Sequence, residues 1–224
     1  FFSKFVKNFE DNNSEGTLSL SVQNVSNDKY LKLYKIESNL VNYETNTLEN
    51  SINYSFENDD IFFGLNASVY ETLSEGYSEK YEYVLPEITL NKNLVSNDRI
   101  GNLDLQTNYK AHKYDTNKFR NFLVNDFNWN YKEIYFESGL KGKILGNLRN
   151  LNYETKNEEI YKDDTTSEIL GSLGYLTEID LQKEVNGAKH FFIPKLLLRY
   201  SPGSMRDEIF GPRLNPISAF SLDR

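Results

Sequence analysis

The 224 residues contain no cysteine. That excludes disulfides, a thiolate nucleophile and any cysteine-based metal site, and it removes the usual guide to redox compartment. No run of 18 or more apolar residues occurs, so no helix of this chain is expected to span a membrane. Positive charge is in deficit, with 25 Lys and Arg against 33 Asp and Glu and a net charge of −8. A nucleic-acid partner, whose affinity rests on basic groups meeting phosphates, is therefore not expected. Histidine occurs twice, at His112 and His190. No nucleophile–base pair, metal triad or phosphate loop is visible, so neither an enzyme nor a bound cofactor is expected. The chain opens Phe1-Phe2-Ser3-Lys4, without an initiator Met or a signal peptide, and closes at Leu222-Asp223-Arg224 within a strand-like pattern. It reads as an internal piece of a longer protein.

Aromatic residues are plentiful at 14%, which separates the chain from disordered sequences. Its dominant pattern is alternation with a period of two, the signature of strands with two unlike faces. From Ile134 to Ile144, one parity carries Ile134, Phe136, Leu140 and Ile144 while the other carries Tyr135, Glu137, Lys141 and Lys143. Leu103, Leu105, Thr107, Tyr109 and Ala111 likewise oppose Asp104, Gln106, Asn108, Lys110 and His112. The same split marks Ile52, Tyr54 and Phe56, then Phe63, Leu65, Ala67 and Val69, and near the end Phe192, Leu196, Leu198 and Tyr200 against Lys195 and Arg199. No segment carries a 3.6-residue stripe. The fold expected is all-β, with strands at 17–25, 29–36, 47–57, 61–72, 80–90, 101–113, 119–131, 134–154, 167–183, 188–200 and 217–224.

Turn chemistry separates these strands at Asn58-Asp59-Asp60, Asp115-Thr116-Asn117 and Asn186-Gly187, the last a strong hairpin signal. Several strands exceed ten residues, longer than soluble sandwiches usually show and enough for the about 9–11 residues that cross a hydrocarbon layer. Short links near 58–60, 131–133 and 184–187 alternate with long ones near 72–79, 155–166 and 201–216, as in outer-membrane barrels, although 91–100 reads as too long and 114–118 as too short. Tyr70, Tyr81, Tyr83, Tyr109, Tyr114, Trp129, Tyr131, Tyr153 and Tyr200 fall near strand ends, where barrels place aromatic girdles. A mean hydrophobic content of 38% does not oppose this reading, because barrel strands need apolar residues at every second position only. A soluble β-rich binding or adhesion module, with the apolar parity packed on a second sheet, is the alternative.

The segment Lys80-Tyr81-Glu82-Tyr83-Val84-Leu85-Pro86-Glu87-Ile88 resembles an aromatic–Leu-Pro stretch in the barrel of the lipopolysaccharide-assembly family (LptD, or organic-solvent-tolerance, proteins). Tyr114-Asp115-Thr116-Asn117-Lys118 with Asn125-Asp126-Phe127-Asn128-Trp129 is similar to the hairpin that follows there. Ile193-Pro194-Lys195-Leu196-Leu197-Leu198-Arg199-Tyr200-Ser201-Pro202-Gly203 resembles a strand leading into a proline-containing loop, and Leu214-Asn215-Pro216 with Ala219-Phe220-Ser221-Leu222-Asp223-Arg224 resembles entry to the next strand. The ordered series covers residues 80–224, about two thirds of the chain. The resemblance implies part of a large antiparallel transmembrane barrel of about ten or eleven strands, left open because it is incomplete. It also implies a bacterial outer-membrane location and a role in inserting lipopolysaccharide into the outer leaflet. The partners it implies are lipopolysaccharide, outer-membrane lipid, the plug lipoprotein LptE and periplasmic transport-bridge proteins. Another outer-membrane barrel, a porin or receptor, stays open beside it.

Within that reading Lys141, Lys143, Lys195 and Arg199 alternate with apolar residues and are expected to face the lumen, pairing with acidic groups or meeting phosphates of a passing lipid. Pro86 and Pro194 lie inside expected strands. Each implies a bulge, a strand end or local weakening, because proline donates nothing to the ladder. Glu158, Glu159, Asp163 and Asp164 form an acidic loop, read as solvated, with oxygen ligation of a divalent cation as the alternative. His112 and His190 read as lumen or surface groups rather than metal ligands. The sequons at Asn53 and Asn66 lie within expected strands and carry no weight.

Overall fold

A computed structural model describes residues 1–74, 80–114, 117–159, 164–203 and 222. The chain is all-β and antiparallel. In order come β1 (Phe2–Asp11), β2 (Ser14–Gln23), a short helix α1 (Tyr30–Tyr34), β3 (Thr47–Asn58), β4 (Ile61–Thr72), β5 (Tyr81–Asn97), β6 (Gly101–Tyr114), β7 (Lys118–Asn130), β8 (Ile134–Tyr135), β9 (Leu140–Lys156), β10 (Thr166–Ile179), β11 (Leu181–Val185), β12 (Ala188–Phe192) and β13 (Lys195–Tyr200). The strands pair as β1-β2-β3-β4-β5-β6-β7-β9-β10-β13, with β8 beside β9 and β11-β12 as a separate ribbon. This is a meander, and no closure of the path is found among the described residues. Two compact units are distinguished: Phe1–Lys92 with Gln106–Asn125 and Leu151–Glu168, and Asn93–Leu105 with Asp126–Asn150 and Ile169–Arg224.

In the first unit, alternation is converted into two faces by register. Phe5 pairs with Leu20, Leu20 with Ile52, and Ile52 with Ala67. One row along, Leu18, Tyr54, Leu65 and Ile88 stand side by side, as do Phe56, Phe63 and Leu90. Directly paired residues share a face, so an apolar band runs across β1 to β5. The other face carries the rows Ser21, Ser51, Ser68 and Ser19, Asn53, Asn66, Glu87.

The segment between β2 and β3 differs from expectation. Residues 29–36 were expected to be a strand, but Tyr30–Tyr34 is helical, ended by Lys35 in a left-handed conformation (φ 47°). Five residues are too few to distinguish a period of two from one of 3.6. What selects the helix is packing: Leu31 is buried with Val41, Leu48 and Leu73, and Tyr30 lies against Tyr34 one turn on. Each such buried aliphatic side chain stabilises by roughly 1.5–3 kcal/mol. Lys80 ties the segment to the sheet through Asp28 (2.6 Å) and Glu71 (3.0 Å). Those two carboxylates hold the Lys80 ammonium well above its ordinary pKa.

Further expectations are corrected. The first strand, β1, lies upstream of every strand expected. The 134–154 strand stands from Leu140 onward as β9, but its first residues form a small hairpin, because Phe136 and Gly139 close a turn and fold β8 back so that Ile134 faces Gly142 and Tyr135 faces Lys141. Even residues pair with even ones here, so a parity count cannot see the turn. The expected strands 167–183 and 188–200 are each divided, at Asp180 and at Ile193-Pro194. Pro194 therefore sits between strands, whereas Pro86 lies in a bulge where Leu85 and Pro86 together oppose Ala67. The Asn186-Gly187 turn forms as expected, both residues at positive φ. The 91–100 link shortens to three residues, 98–100, because β5 runs on to Asn97. The expected strand 217–224 and the turn residues Asp115 and Thr116 lie outside the described residues.

Gly101 and Gly139 share nearly the same positive φ (82° and 81°) but not the same surroundings. A side chain at Gly101 would run into the backbone of Asn130 and Tyr131, while Gly139 meets nothing within 4 Å. Gly139→Ala is expected to cost about 1–2 kcal/mol for the left-handed conformation alone. Gly101→Ala is expected to cost clearly more, read as a larger fall in urea midpoint by far-UV circular dichroism. Equal losses would contradict this packing.

Candidate functional site

The polar face is where side chains meet. In the first unit, Ser68 and Ser51 are only 1% and 6% exposed, although both are hydroxyls, while Ile52 on the opposite face is 51% exposed. Ser68 donates to Asn66 Oδ1 at 2.6 Å and Asn53 to Ser51 Oγ at 3.3 Å, which satisfies groups that would be costly to enclose alone. Farther along this face, Thr89 donates to Asn108 (3.3 Å), Lys110 pairs with Glu87 (3.3 Å), and His112 Nε2 lies 2.6 Å from Glu82. The His112 ring stacks on Tyr114 at 4.4 Å. Phe122 and Tyr153 stack at 5.6 Å on the same face.

Just after β9 stands the most enclosed carboxylate among the described residues of the acidic loop. Glu158 has a side chain 4% exposed and is gripped by Arg120, Nε at 2.6 Å and Nη2 at 3.2 Å, with the Tyr114 hydroxyl donating to the same carboxylate. The Arg120 hydrogen bonds, aided by Tyr114 and opposed by burial, hold the Glu158 carboxyl below its ordinary pKa. Glu158 is thus engaged as a structural anion. Glu159 is exposed, Asp164 accepts the Thr165 N–H at 2.8 Å, and Asp163 lies outside the described residues. Among the described residues no group of three or more His, Asp or Glu is placed to hold a metal ion.

In the second unit the same rule holds. Asp126, 7% exposed, receives a two-pronged contact from Arg149, Nε to Oδ1 at 2.6 Å and Nη2 to Oδ2 at 2.9 Å. Asn147 donates to Asn128 (2.8 Å) and Asn93 to Asp104 (2.8 Å). The opposite face leaves Leu173 and Leu198 at 51% and 60% exposure, on β10 and β13. Of the basic residues singled out from the sequence, Lys195 pairs with Glu178 at 2.8 Å and Lys141 with Asp180. Lys143 lines a cleft of about 580 Å³ together with Asp98, Asn102, Tyr131 and Glu133. Arg199 stands opposite Gly174, on the face that carries Lys195. Lys141 and Lys195 share one acidic neighbourhood, because Glu178 acts on both. His190 lies on the exposed β12, opposite Lys183.

The Arg149–Asp126 and Arg120–Glu158 pairs were not foreseen. Opposite charges on strands that become neighbours would have been the signal, but it needs a cross-strand register that the sequence does not supply. No family model matches the chain, and no curated protein matches it.

Because the folded Glu158 has the lower pKa, its contribution to stability is present above the unfolded value, near 4.3, and is lost as pH falls through the folded value. Glu158→Gln is therefore expected to lower the urea midpoint at pH 7. The gap from the native sequence should close as pH is lowered below about 4. A gap that is constant from pH 7 to pH 3 would contradict this role.

Proposed function

We propose that this chain is a length of transmembrane wall from a bacterial outer-membrane β-barrel, one that carries lipopolysaccharide toward the outer leaflet and performs no chemistry itself. The observation that carries the membrane part is the inversion of burial. Phe5 and Ile52 in the first unit and Leu173 and Leu198 in the second are half or more exposed, while Ser51, Ser68, Asp126 and Thr155 are enclosed on the strands beside Leu48, Val84 and Tyr153. In water this arrangement is unfavourable by roughly 25 cal/mol for each Å² of apolar surface left uncovered. Against lipid it is the favourable one, and the antiparallel ladder satisfies the backbone groups that hydrocarbon cannot. Strands β1 to β7, β9 and β10 have 10–17 residues, which meets the about 9–11 needed for a tilted crossing. Among the described residues no helix is long and apolar enough to cross.

Lipopolysaccharide as cargo rests on the ordered resemblance over residues 80–224. On this reading the polar face meets the cargo, and the plug lipoprotein and periplasmic bridge proteins are partners of the complete barrel. The bulge at Pro86 shapes the wall, and Lys141 and Lys195 serve as paired lumen cations.

A photo-crosslinking residue at Asn53 or Ser55, in the complete protein within the outer membrane, is expected to capture lipopolysaccharide while transport runs and to stop when lipid supply is blocked. Failure to capture lipopolysaccharide from either position would remove this cargo. Capture of a different solute would point to the porin or receptor reading.

A further inference from the structure

On the polar face of β1, β2 and β3 lies a cavity of about 230 Å³, lined by Lys4, Ser19, Ser21, Glu49, Asn53 and, from the segment after α1, Asn39. Leu40 is its one apolar lining residue. The chemistry is distinctive in two ways. Hydroxyls and amides dominate, and the two charged groups, one ammonium and one carboxylate, cancel. Among the described residues the side chains of Lys4, Ser19, Ser21, Asn39 and Glu49 make no hydrogen bond to the protein, and Lys4, Asn39 and Glu49 at the mouth are exposed, so these groups are open to solvent or a ligand. Nearby groups are committed. Gln23 accepts the Glu49 N–H at 3.0 Å, the Gln23 N–H donates to Asn50 at 2.8 Å, and Ser51 Oγ accepts from Asn53. The walls are therefore braced. The Asn39 side is braced too, through the buried Leu31–Val41–Leu48–Leu73 cluster beneath the segment that carries it.

We propose that this cavity binds a single neutral sugar ring or a polyol of that size. Its volume accommodates about eight waters, comparable to one six-membered ring with its hydroxyls. Ser19 and Ser21, on alternate positions of one strand, present two hydroxyls along the ring edge, while Asn39 closes from the connecting segment. A charged ligand of either sign loses its hydration and gains nothing net from Lys4 and Glu49, whose opposite charges cancel, which sets the preference for neutrality. The proposal is independent of the membrane reading, because it needs only the local structure of β1 to β3 and the segment that follows α1.

Saturation-transfer NMR on the protein in detergent, with glucose as probe and glucuronate and glucosamine as charged counterparts, tests it. Glucose is expected to show transfer and the two charged sugars to bind more weakly. The double variant S19V/S21V, which keeps strand-compatible side chains, is expected to weaken glucose binding by about tenfold through two lost hydrogen bonds. Asn39→Ala, outside the strands, gives a second reading if the double variant does not fold, with a loss of roughly threefold to tenfold. No transfer to glucose in the native protein, equal binding of glucuronate, or undiminished binding in both variants would overturn the proposal.

Discussion

The antiparallel backbone ladder is the constraint on which the rest depends. Once Leu20 pairs with Ile52 and Ile52 with Ala67, every second side chain from β1 to β5 is fixed to one face, and a one-residue slip would exchange the faces entirely. In a soluble sandwich the apolar face would be covered by a second layer. Here Phe5 and Ile52 of that face are 51% exposed, and the covered side chains on the strands include Ser51, Ser68, Asp126 and Thr155 beside Leu48, Val84 and Tyr153. The small hydrophobic cluster of Leu31, Val41, Leu48 and Leu73 anchors one connection and is not a core for the whole sheet.

Enclosing polar groups is tolerable only if they are paired. The Arg149–Asp126 fork, the Arg120–Glu158–Tyr114 group and the Ser68–Asn66 contact do this side chain by side chain. None of the enclosed side-chain polar atoms among the described residues lacks a partner. Such a network holds neighbouring strands together across the polar face.

Much of the architecture was legible in the sequence, wherever alternation was clean and turns were marked. β4 runs from Ile61 to Thr72 as read, and Asn186-Gly187 turns the β11–β12 ribbon. β1 escaped because Lys7 interrupts its apolar parity between Phe5 and Phe9. In the structure Lys7 lies over the Phe9 ring at 4.9 Å, so its aliphatic stem joins the apolar face. The β8–β9 turn escaped because it conserves parity, and α1 because its identity comes from Leu31 packing rather than from local pattern. Polar partners such as Asp126 and Arg149 were beyond reach for a different reason. They lie on strands separated by a loop and the β8 excursion, and only the fold sets which residue stands opposite which.

On the proposed function, the apolar face of β1 to β5 meets lipid. Nitroxide labels placed one at a time along β4, from Phe63 to Val69, in the protein within a bilayer, test it most directly. The account predicts that collision with oxygen dissolved in the lipid peaks at Phe63, Leu65, Ala67 and Val69. Collision with a water-soluble nickel complex should be lowest at those four positions. Oxygen accessibility without a two-residue period, or low values at all four, would mean that protein covers this face and would contradict a membrane wall.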